Sequence, residues 1–305
     1  MGKRRKKSLR KYLPLYIMAL PGFLYLLINN YLPMFGIVIA FKRLNFRLGI
    51  LGSPWAGLDN FEYLFTTPDA FRITRNTLCY NFVFIVINLI LSVSIAIILS
   101  EIRSRRKVKV YQTVILLPYM ISMVVVSYLV YGFLSGENGY FNAVLKFFGQ
   151  EPISWYTEPK YWPFILVFVN AWKGVGYSSI IYYATIMGID NELYEAAAID
   201  GAKKMAQVRY ITIPLLKTTA VTLTLLAIGR IFYSDFGLFY QVTQNSAPLI
   251  DVTNTIDTYV FRGLMTLGDI SMSSAAGVYQ SLVCFVMVMA ANWVTRKIDS
   301  ESALF

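Results

Sequence analysis

The sequence predicts an all-α membrane protein of about six transmembrane helices with both termini cytoplasmic. Three observations carry that expectation. The 305 residues are 56% hydrophobic and only 15% charged, whereas soluble domains run nearer ~25% charged. The apolar residues fall in long blocks, and the basic residues sit in short clusters beside them. A soluble fold of this length needs polar residues to cover its surface, and here they are too few, so lipid is the expected solvent for most of the chain.

Crossing a hydrocarbon core takes ~20 mostly apolar residues. The first candidate, residues 14–40, follows a basic tail over 1–13 that carries Lys3, Arg4, Arg5, Lys6, Lys7, Arg10 and Lys11. Its apolar run exceeds a signal core, and Met18, Ala19, Leu20, Pro21 and Gly22 make no convincing cleavage site, so a retained first helix is expected. The further candidates are 76–100, 111–134, 161–187, 216–240 and 273–295, before a short tail over 296–305. Segments such as 82–99 and 282–291 are apolar all round, which disfavours soluble helices, and none alternates with the period of a strand barrel. No linker or low-complexity tract divides residues 14–295, which read as one transmembrane domain.

Lys and Arg in the loops set orientation. With six spans, the amino-terminal tail, the 101–110 loop, the 188–215 loop and the carboxyl tail share one side and hold seventeen basic residues. The opposite loops hold eight over longer lengths, five of them (Lys42, Arg43, Arg47, Arg72 and Arg75) in the first. The richer side is read as cytoplasmic. Loops on the other side, such as Trp55 to Phe61, Gly136 to Gly139 and Asn245 to Pro248, have turn composition.

Composition also excludes function classes. The net charge of +11 resides in clusters flanking apolar blocks, an orienting pattern rather than a nucleic-acid footprint. Histidine is absent, which removes the commonest general base and metal ligand. Cys79 and Cys284 offer neither zinc spacing nor a disulfide framework. No phosphate loop Gly-x-x-x-x-Gly-Lys-[Ser/Thr] occurs, so ATP chemistry belongs to another chain. An intramembrane protease would need a Gly-x-Gly-Asp element or a Ser–His pair, and Thr266-Leu267-Gly268-Asp269 lacks the first glycine. An ion-coupled carrier would need ionisable residues at mid-membrane and repeats; only Lys173, Arg230 and Asp235 qualify, and no repeat is visible.

The most informative stretch runs from Gly188 to Leu216. Asp190 can cap a helix whose positive end suits Glu192 and Glu195, and Gly201 can end it in a left-handed turn. A second short helix over about 203–212 then runs to Pro214, which suits the start of the next span. Leu193, Ala196 and Ala197 share a face, and small residues there allow close approach of another protein's groove. Packing on the chain's own bundle or on lipid headgroups would use the same pattern. In the fourth span Asn170, Gly174 and Tyr177 share a face, fit either for holding a sugar or for packing helices. Lys173 reads as a buried ion pair or a snorkelling side chain. In the fifth, Arg230 and Asp235 flank Tyr233 and Ser234, as a charge pair, a pore lining or a structural pair with another helix.

Glu195-Ala196-Ala197-x-x-Asp200-Gly201-Ala202, followed by Ile211-x-Ile213-Pro214, resembles the EAA loop of permeases of binding-protein-dependent ABC importers. Gly57-Leu58-Asp59-Asn60-Phe61, Asn76-Thr77 and the stretch from Asp257 to Ser281 are similar to the carbohydrate branch, of LplB/YtcP type and related to MalF. The resemblance covers most of the chain, departing at Lys204-Met205, where relatives often carry an aromatic residue. It implies a type I (MetI-like) bundle with its core over about 72–295, and an ATPase-coupling role for Glu195, Ala196, Ala197, Asp200, Gly201 and Pro214. It implies a sugar pathway along Asn170, Gly174 and Tyr177, where maltose-type permeases show a similar Asn-x-Trp-x-Gly-x-x-Tyr run; Ser234 and Asp235 are further pathway candidates. The implied partners are a second, non-identical permease subunit, two ATP-binding cassette subunits carrying ATP and Mg, an extracytoplasmic solute-binding protein, sugar and membrane lipid. No cofactor, catalytic residue or metal is expected in this chain, whose implied location is a bacterial plasma membrane.

Overall fold

The computed structural model describes residues 2–298. Among them regular structure is helical, apart from one isolated bridge between Lys42 and Trp55. Five helical stretches are long and apolar enough to cross a membrane: Tyr12–Phe41, Pro68–Ser100, Pro159–Met187, Lys204–Ile228 and Ile270–Lys297. A sixth is reached only by joining Arg105–Met120 and Met123–Leu134, which are bent by 94° at a short break.

The chain divides into two compact units, Met1–Thr67 with Arg262–Val278, and Pro68–Phe261 with Tyr279–Phe305. The first opens with α1 (Gly2–Leu26), which runs through a π turn at Leu27–Tyr31 toward a tighter 3-10 turn at Phe35–Phe41. Lys42, 4% exposed, then donates from Nζ to the carbonyls of Ile50 (2.9 Å) and Leu51 (2.8 Å) and lies 5.0 Å from the Trp55 ring centre. Asn60, in α2 (Asp59–Thr66), donates to the Ala40 and Lys42 carbonyls. These bonds give the Gly57–Phe61 turn its fixed place. In the same unit the Leu44 amide donates to Ser271 Oγ at 3.0 Å.

The second unit is built on α3 (Pro68–Ser100) and α7 (Trp162–Met187). Pro68 and Asp69 start α3 eight residues before the expected boundary of the span, because proline and an acid suit a first turn. A core of Tyr80, Phe84, Val126, Trp162, Leu166 and Phe239 gathers around these helices. α4 (Arg105–Met120) crosses α7 closely at Gly176, where a Cβ would fall on the Ile115 carbonyl. A second cluster, Ala96, Tyr182, Ile186 and Leu216, packs α9 (Ile213–Ile228) against α3 and α7.

Two expected spans are corrected. The third is not a continuous helix over 111–134. It breaks after Pro118, and Ser122 caps α5 (Met123–Leu134) through its hydroxyl and the Val125 amide. α6 (Tyr140–Phe147) and 3-10 turns at Trp155–Thr157 and Pro159–Tyr161 lead on to α7. The fifth span ends at Ile228 rather than 240; Gly229 to Phe236 turn irregularly before a π turn at Gly237–Val242. The reason is local satisfaction of backbone groups, which at membrane depth must find partners inside the protein. Asn81 Nδ2 donates to the Ile231 (2.8 Å) and Tyr233 (3.1 Å) carbonyls, and Gln280 Nε2 to Phe232 (2.6 Å). The Cys284 thiol donates to Gly229 at 3.2 Å.

Candidate functional site

Residues 188–215 form the loop expected to face a partner. Asp190 Oδ1 accepts from the Glu192 amide at 3.0 Å and caps α8 (Asn191–Ile199). At the other end Gly201, at φ +79°, closes the helix. Its amide donates to Ala198 and the Ala202 amide to Ala197, the paired bonds of a Schellman cap. No residue of α8 is buried, Leu193 and Ile199 being 47% and 86% exposed. Glu195, Ala196, Asp200 and Gly201 are exposed and Ala197 half-buried. Tyr194 is tied back by its hydroxyl to Thr212 Oγ1 at 2.9 Å, and Lys204 pairs with Glu101 at 3.1 Å, beside the end of α3. The helix is thus anchored on one side and presented on the other.

The expected separate helix over 203–212 is corrected. Lys204–Ile228 is one helical stretch, with a π turn at Val208–Thr212 just before Pro214. Proline contributes no N–H, and the wider turn, in which the Ile213 amide reaches back to the Val208 carbonyl, absorbs the mismatch. Pro214 thus opens α9 as its second residue, and the helical stretch continues back through the π turn to Lys204.

Asn170, Gly174 and Tyr177 are brought together as their spacing predicts. Asn170 and Tyr177 line a cleft of about 280 Å³ with Asn88, Ser178, Tyr182 and Thr224. Gly174 faces Asn88, whose Nδ2 would lie 3.2 Å from a Cβ there. Tyr177 also stacks on Tyr119, with ring centres 4.7 Å apart. Amides, hydroxyls and aromatic faces without a nucleophile beside a base suit reversible hydrogen bonding to a polyhydroxylated solute.

Among the described residues Lys173 has no ion pair. Its Nζ donates to the carbonyls of Pro118 (3.4 Å), Tyr119 (3.2 Å) and Ile121, at the carboxyl end of α4. A cation there satisfies carbonyls freed by the break and meets the negative end of the helix dipole. Nor is there a charge pair between Arg230 and Asp235 among the described residues: Asp235 Oδ1 accepts from the Leu238 amide at 3.1 Å, and Arg230 is exposed. Ser234 instead engages a carboxylate missed in the sequence. Asp257 Oδ2, in α10 (Ile256–Arg262), accepts from the Ser234 amide (2.7 Å), its hydroxyl (2.8 Å) and Gln280 Nε2 (3.2 Å). The other residues missed are Asn81 and Asn88. Polar side chains inside an apolar span were the available signal. Outside the spans, burial holds the Tyr156 phenol above its ordinary pKa, and its hydroxyl lies 3.4 Å from the Val242 carbonyl.

A helical chain with several stretches long enough to cross a membrane is what comparison also finds. Residues 73–300 match the family described as the binding-protein-dependent transport system inner membrane component. The chain belongs to that family. This permease is 36% identical to the polygalacturonan/rhamnogalacturonan transport system permease protein YteP of Bacillus subtilis (strain 168), over 98% of this chain and 93% of that one. It is 32% identical to protein LplB of the same organism, over 94% and 90% respectively. Among solved structures it is similar to a chain of a bacterial ABC transporter importing the acidic polysaccharide alginate: TM-score 0.89, 31% identity, 97% of this chain and 99% of that chain. The all-α, multi-span architecture expected from hydropathy and the permease bundle implied by the resemblance are therefore the fold, and the chain is a transport subunit rather than an enzyme.

Proposed function

We propose that this permease moves an oligosaccharide across a bacterial plasma membrane, with residues 188–215 and both termini in the cytoplasm. An extracytoplasmic solute-binding protein would deliver the sugar, as the neighbouring alginate transporter, solved with a pentasaccharide-bound periplasmic protein, suggests. Two ATP-binding cassette subunits, which hold the ATP and Mg, would supply the work. One chain carries one loop of this kind, so the pore would need a second, non-identical permease. The observation that carries the reading is α8, a capped helix with no buried residue. Glu195, Ala196, Ala197, Asp200 and Gly201 would seat in the ATPase, and Pro214 would join that contact to α9.

Asn170, Gly174 and Tyr177 would line the sugar's path, with Asn88 and Thr224 beside them. Ser234 and Asp235 would shape the break above the cleft rather than touch the solute. Acidic oligosaccharides are the favoured class: YteP is named for polygalacturonan/rhamnogalacturonan transport and the similar solved transporter imports alginate, and Arg230 lies exposed three residues beyond the cleft residue Ala227. The test is uptake into proteoliposomes holding the complete transporter. Uptake is expected to require ATP hydrolysis and to survive ionophores. Uptake that persists without hydrolysis and collapses with the ion gradient would sink the proposal.

A further inference from the structure

A second, apolar groove runs along the second unit, distinct from the cleft around Asn170 and Tyr177. It encloses about 720 Å³ between α3 and α7. One wall is a stripe at intervals of four: Arg75, Cys79, Val83, Ile87 and Leu91. The other is formed by Phe164, Phe168 and Ala171, with Phe164 77% and Phe168 69% exposed. At ~1.5 Å per residue the stripe is about 24 Å long. That is close to half a bilayer with its headgroups, roughly 20–22 Å.

The groove has a charged end. Arg75 is exposed, and its Nε and Nη2 donate to Asn76 Oδ1 at 3.3 and 3.0 Å. Asn76 is itself 5% exposed and held by its amide nitrogen on the Asp251 and Asn254 carbonyls, both at 3.0 Å. The guanidinium is therefore positioned from below. Among the described residues no carboxylate pairs with it, although Arg72, one turn away, is occupied by Asp69 and Asp251. The Ser100 end of α3 adjoins the 188–215 loop through Glu101 and Lys204, so Arg75 lies toward the far end of that helix.

The geometry points to a binding site for one anionic phospholipid of the leaflet opposite the coupling loop, its phosphate on Arg75 and an acyl chain along Cys79 to Leu91. A fixed cation above a dry apolar trough matches that amphiphile. A partner helix fits less well, because close helix packing favours small residues and only Ala171 is small here.

Native mass spectrometry of the complete transporter, released from detergent with equimolar phosphatidylglycerol and phosphatidylcholine, tests this. Wild type is expected to retain phosphatidylglycerol about fivefold over phosphatidylcholine, the scale of one basic residue at an anionic surface. Arg75→Gln should lose the preference yet keep ATPase activity, and Ile87→Trp should lose retention of both lipids. A photoreactive phenylalanine analogue at Phe168 should label lipid. The site is overturned if wild type shows no preference, if Arg75→Gln keeps it, if Ile87→Trp still retains lipid as wild type does, or if the Phe168 probe labels the second permease instead.

Discussion

Asn81, Gln280 and Cys284 each look like a lone polar residue in an apolar helix, yet together they serve the carbonyls of one broken stretch, Gly229 to Tyr233. An unpaired carbonyl in hydrocarbon costs several kcal/mol, so the irregular backbone exists only with its donors. Replacing Asn81 by Leu strands two carbonyls, and a loss of about 1–3 kcal/mol in stability follows. Thermal unfolding of the solubilised transporter reads this as a lowered midpoint; an unchanged midpoint would mean that the break does not depend on Asn81. Lys173 makes the same point at the other break. Lys173→Met keeps the stem but removes the donor to the Pro118, Tyr119 and Ile121 carbonyls, so it should lower the midpoint while leaving α8 intact. A variant as stable as wild type would show those carbonyls to be served by water.

At the scale of elements, α8 is defined by its two ends rather than by burial. Its cap at Gly201 needs φ +79°, which costs an L-residue roughly 1–2 kcal/mol. Space is not the obstacle, since nothing lies within 4 Å of a Cβ built there. Gly201→Ala should therefore shift or fray the end of α8 without disturbing the spans. The expected outcome is less sugar moved per ATP hydrolysed, with an unchanged unfolding midpoint. Gly201→Asp adds charge to the same strain and should abolish transport; wild-type transport by that variant would refute the coupling assignment. The caps at Asp190 and Gly201 were legible in the sequence because capping is local chemistry. The fusion of residues 204–228 was not, because a π turn that absorbs Pro214 leaves no residue signature.

For the whole molecule, the decisive quantity is the side on which each loop lies. In the proposed topology, with the bent pair Arg105–Met120 and Met123–Leu134 as one span, three crossings separate Leu51 from α8, and the two should face opposite compartments. Leu51 is 91% exposed and Ile199 86% exposed, which makes both usable labelling points. With cysteines introduced at each in a background lacking Cys79, an impermeant maleimide should label Leu51→Cys in intact cells and Ile199→Cys only after lysis. Labelling of both from one side would overturn the topology. The loop that this topology places outside first, with its five basic residues, is where charge counting alone argues against itself. Lys42 is buried under Trp55 and spent on two carbonyls, Arg43 pairs with Asp59 at 2.6 Å, and Arg72 pairs with Asp69 and Asp251, so three of those charges are committed locally.

Hydropathy and loop charge determined, from sequence alone, that this is a multi-span membrane protein; helical periodicity and capping placed Asn170, Gly174 and Tyr177 on one face and a capped helix over 190–201, and the resemblance carried by that loop implied a permease. All of these depend on residues within a few turns of one another, where helical periodicity and capping suffice. The two broken spans, the clamp by Lys173 and the three donors on Asp257 were decided only by the tertiary structure. They join residues between 23 and 152 positions apart. The groove ending at Arg75 is likewise visible only once α3 lies against α7. A polar side chain in an apolar span shows that some partner is needed; which backbone group it serves is set by the packing of helices distant in the chain.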